Sequence, residues 1–405
     1  MEFQMKQASG SPSSSSSVDP NANSNPNDQD PMHSWWESIS KARSRIHVLS
    51  NILPSPSLSL SLSSLADSDR PARSLLQSPD AYDALSSSLS CPRSGSGSDP
   101  LCQWLYETFQ SSDPDLRLVV LSFVPLLSGI YLSRIATADS HATSLAGFEA
   151  VLLAFYASEL KARAGKPVSI SIPDLSQPSL YHTPRSKPTS VAPARQSVGL
   201  VSPPLEPQIE VKSTKRACIV GVALDCYYKQ ISQMPSWSKL DLCQFAAAWA
   251  GQNCPCKAEF DVNENAEIDG FSEVRVLDEG DEIERCVEEV GKLGIVENCS
   301  NSGFKGVRIP LPWELLQPTL RIIGHCLLAS LNSQDVKDAA SVAVRCLYAR
   351  ASHDLVPQAI LATRSLIQLD KRAREAAKAA AAANAASNSN TPSKAKKPEV
   401  LLVSK

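Results

Sequence analysis

The chain has 405 residues, 42% of them hydrophobic and 20% charged, and its 39 Lys and Arg against 42 Asp and Glu leave a net charge of −3. That balance, with a pI near 6.1, excludes a broad nucleic-acid footprint, which requires a basic face. Eleven cysteines do not make a dense disulfide framework in a chain this long. Cys218, Cys226, Cys243, Cys326 and Cys346 fall on apolar helical patterns, as small buried hydrophobes in a reducing compartment do.

Residues 1–98 are rich in Ser, Pro, Asn and Asp and are expected to be mostly disordered, because so little apolar surface does not offset chain entropy. The opening MEFQMKQASGSPSSSSS holds no apolar run of the secretory kind, and no lipidation box is evident at either end, so a soluble intracellular protein is expected. One amphipathic helix is expected at 34–52, where Trp35, Ile39, Ala42, Ile46 and Leu49 recur every three or four residues among Lys41, Arg43 and Arg45. It reads as a first core helix docked on the domain; the other reading is a basic, Trp-bearing helix lying on a membrane surface. The serine-rich SPSLSLSLSSL at Ser55–Leu65 is expected to be a loop.

A helical domain is expected over 99–370. Asp99-Pro100 and Asp113-Pro114 each supply an N-cap and a proline at the first helical position. Leu101, Trp104, Leu105 and Phe109 form the first stripe. The run LVVLSFVPLLSGIYL, Leu118–Leu132, falls short of the roughly 20 residues that cross a bilayer and reads as a buried helix kinked at Pro125. Ser144–Ala164 places Leu145, Phe148, Leu152, Phe155 and Leu160 on one face, and Gly165 ends it. Short connections between these helices favour antiparallel packing.

A Pro/Ser/Thr-rich loop, 167–213, interrupts the helices, although its opening Val168–Ile172 alternates as a strand does. Helices resume at Ala217–Ile231 and Ser238–Ala250, then give way to an acidic insertion, 257–290. Thirteen acidic residues lie between Glu259 and Glu289 against only Arg275 and Arg285, the composition of a solvated segment. Three further helices are expected at Trp313–Leu331, Gln334–Ala351 and Pro357–Leu369. The extension 371–405 opens with an alanine-rich run, Arg372–Ala386, that prolongs the last helix and ends in a disordered tail carrying Lys394, Lys396 and Lys397. No regular repeat is evident. The fold class is all-α: an irregular helical bundle or stack, with a disordered Ser-rich N-terminal region and a disordered C-terminal tail.

Chemistry-bearing motifs are not found. Gly165-Lys166-Pro167 and Gly291-Lys292-Leu293 lack the upstream glycine and the Ser/Thr of a phosphate loop. Cys254-Pro255-Cys256 has no second ligand pair nearby, so no zinc site is expected. The Asp261–Asn265 stretch starts like a calcium loop but has Ala266 where the turn needs Gly and Ser272 where the bidentate Glu belongs. None of the six histidines pairs with a Ser or Cys nucleophile, and His325 reads as a core or interface residue. No cofactor, metal or catalytic residue is assigned, and the chain is not expected to be an enzyme.

The segment Val168–Pro184, VSISIPDLSQPSLYHTP, keeps apolar anchors on backbone that prolines bar from regular structure. Docking costs such a segment less entropy. Ile172, Pro173, Leu175, Pro178, Leu180 and Tyr181 are therefore candidates for a clamp between helices or for part of a partner-binding surface. The stretch Ile172–His182, IPDLSQPSLYH, following ELKARAGKPVS, resembles the corresponding segment of the hyccin family, and Val307–Leu311, VRIPL, opens a run of helices in a similar way. The resemblance spans about 101–370; the acidic insertion and the alanine-rich end fall outside its pattern.

Membership would imply a non-catalytic, largely helical subunit of a plasma-membrane complex. That complex contains the type III alpha phosphatidylinositol 4-kinase, a tetratricopeptide-like scaffold subunit and a membrane-anchoring subunit. The implied role is to bind the scaffold, stabilise the assembly and help deliver the kinase to the membrane for phosphatidylinositol 4-phosphate production. The implied location is the cytosol and the cytoplasmic face of the plasma membrane, with indirect membrane association and no nucleic-acid partner. A stand-alone peripheral membrane-binding helical protein is the alternative.

Overall fold

The computed structural model describes residues 31–53, 56–137, 144–172, 197–251 and 308–389. Proline sets where the early helices begin: α1 (Pro31–Ile52), α2 (Pro56–Ala66), α3 (Pro71–Gln77), α4 (Pro79–Ser90), α5 (Pro100–Phe109) and α6 (Pro114–Ser122). Its fixed φ suits the first helical position, where its missing N–H costs nothing. Side chains complete the starts. The Asp99 carboxylate accepts from the backbone N–H of Leu101 (2.8 Å), and that of Asp113 from Asp115 (2.7 Å), as the sequence suggests.

The helical body begins far earlier than expected. Besides the helix expected at 34–52, which is α1, the region expected to be mostly disordered up to residue 98 contains α2 to α4, and the expected loop at Ser55–Leu65 is α2 instead. The cause is burial. Leu62 and Ala66 of α2, Leu75 and Leu76 of α3, and Leu85 and Leu89 of α4 enter the same core as Trp104. Packing of that stripe overrides the weak helix propensity of serine. Residues 1–30 and 390–405 lie outside the described residues.

Helix α1 docks through Ile39, Ala42, Ile46 and Leu49, whereas Trp35, expected in that stripe, is exposed. Arg45 fastens α1 to α5 by donating to the Trp104 carbonyl (3.0 Å) and the Thr108 hydroxyl (3.0 Å), while the Trp104 indole donates back to the Arg45 carbonyl (2.8 Å).

The apolar run is interrupted at Phe123, between α6 and α7 (Val124–Thr137), so at the expected kink the helix breaks two residues before Pro125. Pro114–Thr137 is the one stretch among the described residues long and apolar enough to cross a membrane, and 83% of its most apolar window is buried. Helix α8 (Ala146–Ala162) ends at Gly165, whose positive φ lets its N–H reach the Leu160 carbonyl at 3.0 Å.

Two strands come next. β1 (Val168–Ile172) pairs antiparallel with β2 (Ser197–Ser202), so part of the expected 167–213 loop is a ribbon. Then come α9 (Arg216–Lys229), α10 (Ser236–Ala250), α11 (Trp313–Leu328), α12 (Gln334–His353) and α13 (Pro357–Ser389). α13 carries the last helix through the alanine-rich run. Cys243 and Cys326 are free thiols buried in the core, and His325 is half-buried on α11.

One continuous core runs from Ile46 to Ala359. α7 and α12 flank α10, while α8 and α11 flank α9. Gly221 sets the α9–α11 approach: a Cβ there would lie 2.2 Å from the Glu314 carbonyl oxygen. Across the α10–α12 contact, the buried Arg350 donates to the carbonyls of Trp249 (3.1 Å) and Ile309 (2.8 Å). The Ile309 N–H itself reaches the Trp249 carbonyl at 3.3 Å. Both ends of the 252–307 segment are thus held together at the C-terminal end of α12.

Helix α10 also buries a carboxylate. Asp241 accepts from the Tyr82 hydroxyl at 2.7 Å, its second oxygen has no partner among the described groups, and the Tyr82 ring stacks on Trp237 with centroids 4.1 Å apart. Burial pushes the Asp241 carboxyl up to about 7, against the lowering effect of the Tyr82 hydrogen bond.

This packing makes two outcomes testable. Gly221→Ala drives backbone into backbone and should lower stability by about 1–3 kcal/mol, read as a fall in melting temperature. The folded chain holds the Asp241 proton more tightly than an unfolded chain titrating near 3.8, so this group favours folding most below that pH. Its contribution falls as pH rises toward about 7, by at most ~1.4 kcal/mol per unit, and is flat above. Asp241→Asn should therefore gain stability relative to the parent between pH 5 and 7, measured by thermal melts across that range.

Candidate functional site

The candidate surface centres on the base of the β1–β2 ribbon, where α8, α9 and the chain leaving β2 meet. Three contacts seat the ribbon. Arg163 at the end of α8 donates to the Ser202 hydroxyl (3.0 Å), the Leu205 N–H to the Gly165 carbonyl (2.9 Å), and the Tyr156 hydroxyl to the Glu206 carbonyl (2.8 Å). Leu205 is buried beneath them.

A charged layer lies under this seat. Glu159 of α8 accepts from Lys229 of α9 at 2.5 Å and lies 3.9 Å from the Arg163 guanidinium, whose Nε and Nη2 have no hydrogen-bond partner among the described residues. The Cys226 thiol points at the same carboxylate from 3.8 Å, and burial, then the Glu159 charge, pushes it up to about 12, so it stays protonated and unreactive. Next to it, burial raises the Asp225 carboxyl while Arg321, paired with it at 2.9 Å, pulls the other way. The arrangement fixes α8, α9 and α11 relative to one another; nothing in it resembles a nucleophile with its base.

Beside the seat is a cleft of about 450 Å³, lined by Tyr156, Pro203, Lys215, Cys218, Pro312 and Glu314 among others. The starts of α9 and α11 both open on it, and neither has a side-chain cap. Lys215 is paired with Glu206 at 3.5 Å. Among the described residues, no group of three His, Cys, Asp or Glu side chains gathers to hold a metal ion.

The ribbon itself projects apolar side chains. Ile170, Val198 and Leu200 are 55%, 68% and 64% exposed. In the observed register Ser171 faces Val198 and Ser169 faces Leu200, so these four share one face while Ile170, opposite Gly199, lies on the other. Neither strand carries a charge or an internal proline, the usual protections of an open edge.

Of the six residues singled out in the sequence, Ile172 is the last residue of β1. Pro173, Leu175, Pro178, Leu180 and Tyr181 lie outside the described residues. The structure thus places the origin of that segment at the ribbon. Val198 and Leu200 escape sequence reading; the alternation SVGLVS is the available signal, obscured by the prolines upstream. A second apolar exposure is the tip of α1, where Met32, Trp35 and Trp36 are 62%, 46% and 56% exposed and the two indoles meet edge-on with centroids 4.9 Å apart.

The sequence of this helical body matches a known family. The family model for hyccin matches residues 66–401, which takes in α3 to α13 and the whole ribbon. The chain belongs to the hyccin family.

Proposed function

We infer that the protein is a non-catalytic adaptor of a plasma-membrane phosphatidylinositol 4-kinase complex. It binds the helical-repeat scaffold through its helical body, stabilises the assembly with the type III alpha kinase and the membrane-anchoring subunit, and so supports phosphatidylinositol 4-phosphate production at the cytoplasmic face. The observation that carries this reading is the family match over 66–401, nearly the whole packed body. The physical character of the surface is consistent with it: the chemistry on view at the ribbon seat is structural, and the apolar residues left over are those a partner would bury.

The ribbon and the Ile172–Tyr181 segment that leaves it form the contact region in this reading, with Leu175, Leu180 and Tyr181 acting as anchors or clamps and Pro173 and Pro178 limiting the freedom of the backbone. Affinity purification of the tagged chain should recover a lipid kinase together with a helical-repeat scaffold; recovery of neither defeats the reading. Val198→Asp with Leu200→Asp should cut scaffold recovery on the order of tenfold, a loss of about 1.4 kcal/mol, and leave the melting temperature unchanged because both side chains are exposed. Leu175→Asp with Tyr181→Asp should lower recovery or cellular abundance.

The exposed Trp35 and Trp36 favour a second reading, a peripheral membrane binder that acts alone. Flotation of the purified chain with vesicles separates the two. The adaptor reading expects weak binding without partners, and the second expects strong binding abolished by Trp35→Ala with Trp36→Ala.

A further inference from the structure

The charge of this chain is segregated. Residues 252–307 carry fourteen Asp and Glu against five Lys and Arg, residues 357–405 carry nine Lys and Arg against three Asp and Glu, and the rest of the chain holds twenty-five of each. Excesses of −9 and +6 therefore sit in a chain that is otherwise balanced.

The fold brings the roots of the two blocks together. The acidic segment leaves after Gly251 and returns at Arg308, and its ends are closed by Arg350 on the carbonyls of Trp249 and Ile309. Arg308 adds a bond to Asp354 and one of 2.7 Å to His353. Those residues end α12, three positions before α13 begins at Pro357. α13 then returns along α12, where Arg374 pairs with Asp338 (2.8 Å) and Asp370 (2.9 Å). Past that point its side chains are exposed on every side through Ala382.

We propose that the outward-facing stretch of α13 from Lys371 to Ala382, with Lys371, Arg372 and Lys378, is the docking face for the acidic segment 252–307 of the same chain. This stretch is alanine-rich and has no stripe of large apolar residues, so burial cannot select its partner. Net positive charge can, and the complementary block is attached to the same molecule at high effective concentration. Length permits the contact. At 1.5 Å per residue, Lys371 lies roughly 20 Å and the helix end roughly 50 Å from the shared root. Half of the acidic segment spans up to roughly 90 Å when extended. The contact is electrostatic and therefore salt-labile, since the screening length falls to about 3 Å in 1 M salt. The tethered acidic block, at high effective concentration, outcompetes a polyanionic surface such as an anionic bilayer for the same cations.

The test is zero-length carbodiimide cross-linking of the full chain in ~0.05 M salt, mapped by mass spectrometry, with the Lys229–Glu159 pair as internal control. In the monomer fraction, Lys371, Lys378 or the tail lysines should join to acidic residues between Glu259 and Glu297. Those links should fall severalfold in ~1 M salt. They should fall likewise in the variant Asp281→Lys, Glu282→Lys, Glu284→Lys, which keeps every lysine reporter. The links should persist when phosphatidylserine vesicles are added. The proposal is overturned if the control link forms and these do not, if they occur only in a dimer fraction, or if the charge-reversed variant keeps them. Their loss on adding vesicles would make lipid the occupant and overturn it as well.

Discussion

The burial on every side of the Leu118–Leu132 run, across α6 and α7, is the constraint from which the rest of the architecture derives. A helix that is apolar all round has no solvent face, so other elements must cover it. α3 covers α6, while α4, α9 and α10 cover α7. The fit is tight enough to need a missing side chain: the Phe245 ring of α10 occupies the space above Gly129, where a Cβ would come within 2.3 Å of it. The leucine-bearing, serine-rich α2 to α4 belong to the same layer, which is why they are ordered at all. Deprived of this surface, short helices of such composition would be marginal in water.

The second organising element is the α8–α9–α11 joint. Glu159, Lys229 and Arg163 meet under the ribbon, and Gly221 brings α9 against the start of α11. A half-satisfied guanidinium in this position is costly unless the geometry around it is fixed. The ribbon is seated on that fixed point, so its exposed Ile170, Val198 and Leu200 are presented from a rigid base rather than from a slack loop. Two strands alone are marginally stable in water, and the seat compensates for this.

What can be read from the amino acids tracks the strength of the local signals. Asp99-Pro100 and Asp113-Pro114 announce their helices because a cap and a proline act within three residues. Gly165 announces its stop for the same reason. The α2 to α4 layer escapes because serine composition argues for disorder, while the leucines at 62, 75, 85 and 89 matter only through a core assembled from distant residues. Trp35 fits the stripe by spacing yet stands outside it, because periodicity cannot tell how far a helix overhangs its support. β2 is hidden because its pairing partner, β1, lies across the 173–196 segment, a separation no local pattern encodes. The family resemblance of IPDLSQPSLYH is legible, whereas the surface that segment leaves from is not.

The Arg350 closure has an evolutionary corollary. Because Trp249 and Ile309 are joined at the neck by backbone and guanidinium bonds, the folded body is indifferent to how many residues intervene. The entropy of closing an inserted length grows only as its logarithm, so doubling it adds about 0.6 kcal/mol. Homologues should therefore differ freely in the size of this stretch as long as its charge stays opposite to that of α13, while keeping an arginine at its gate.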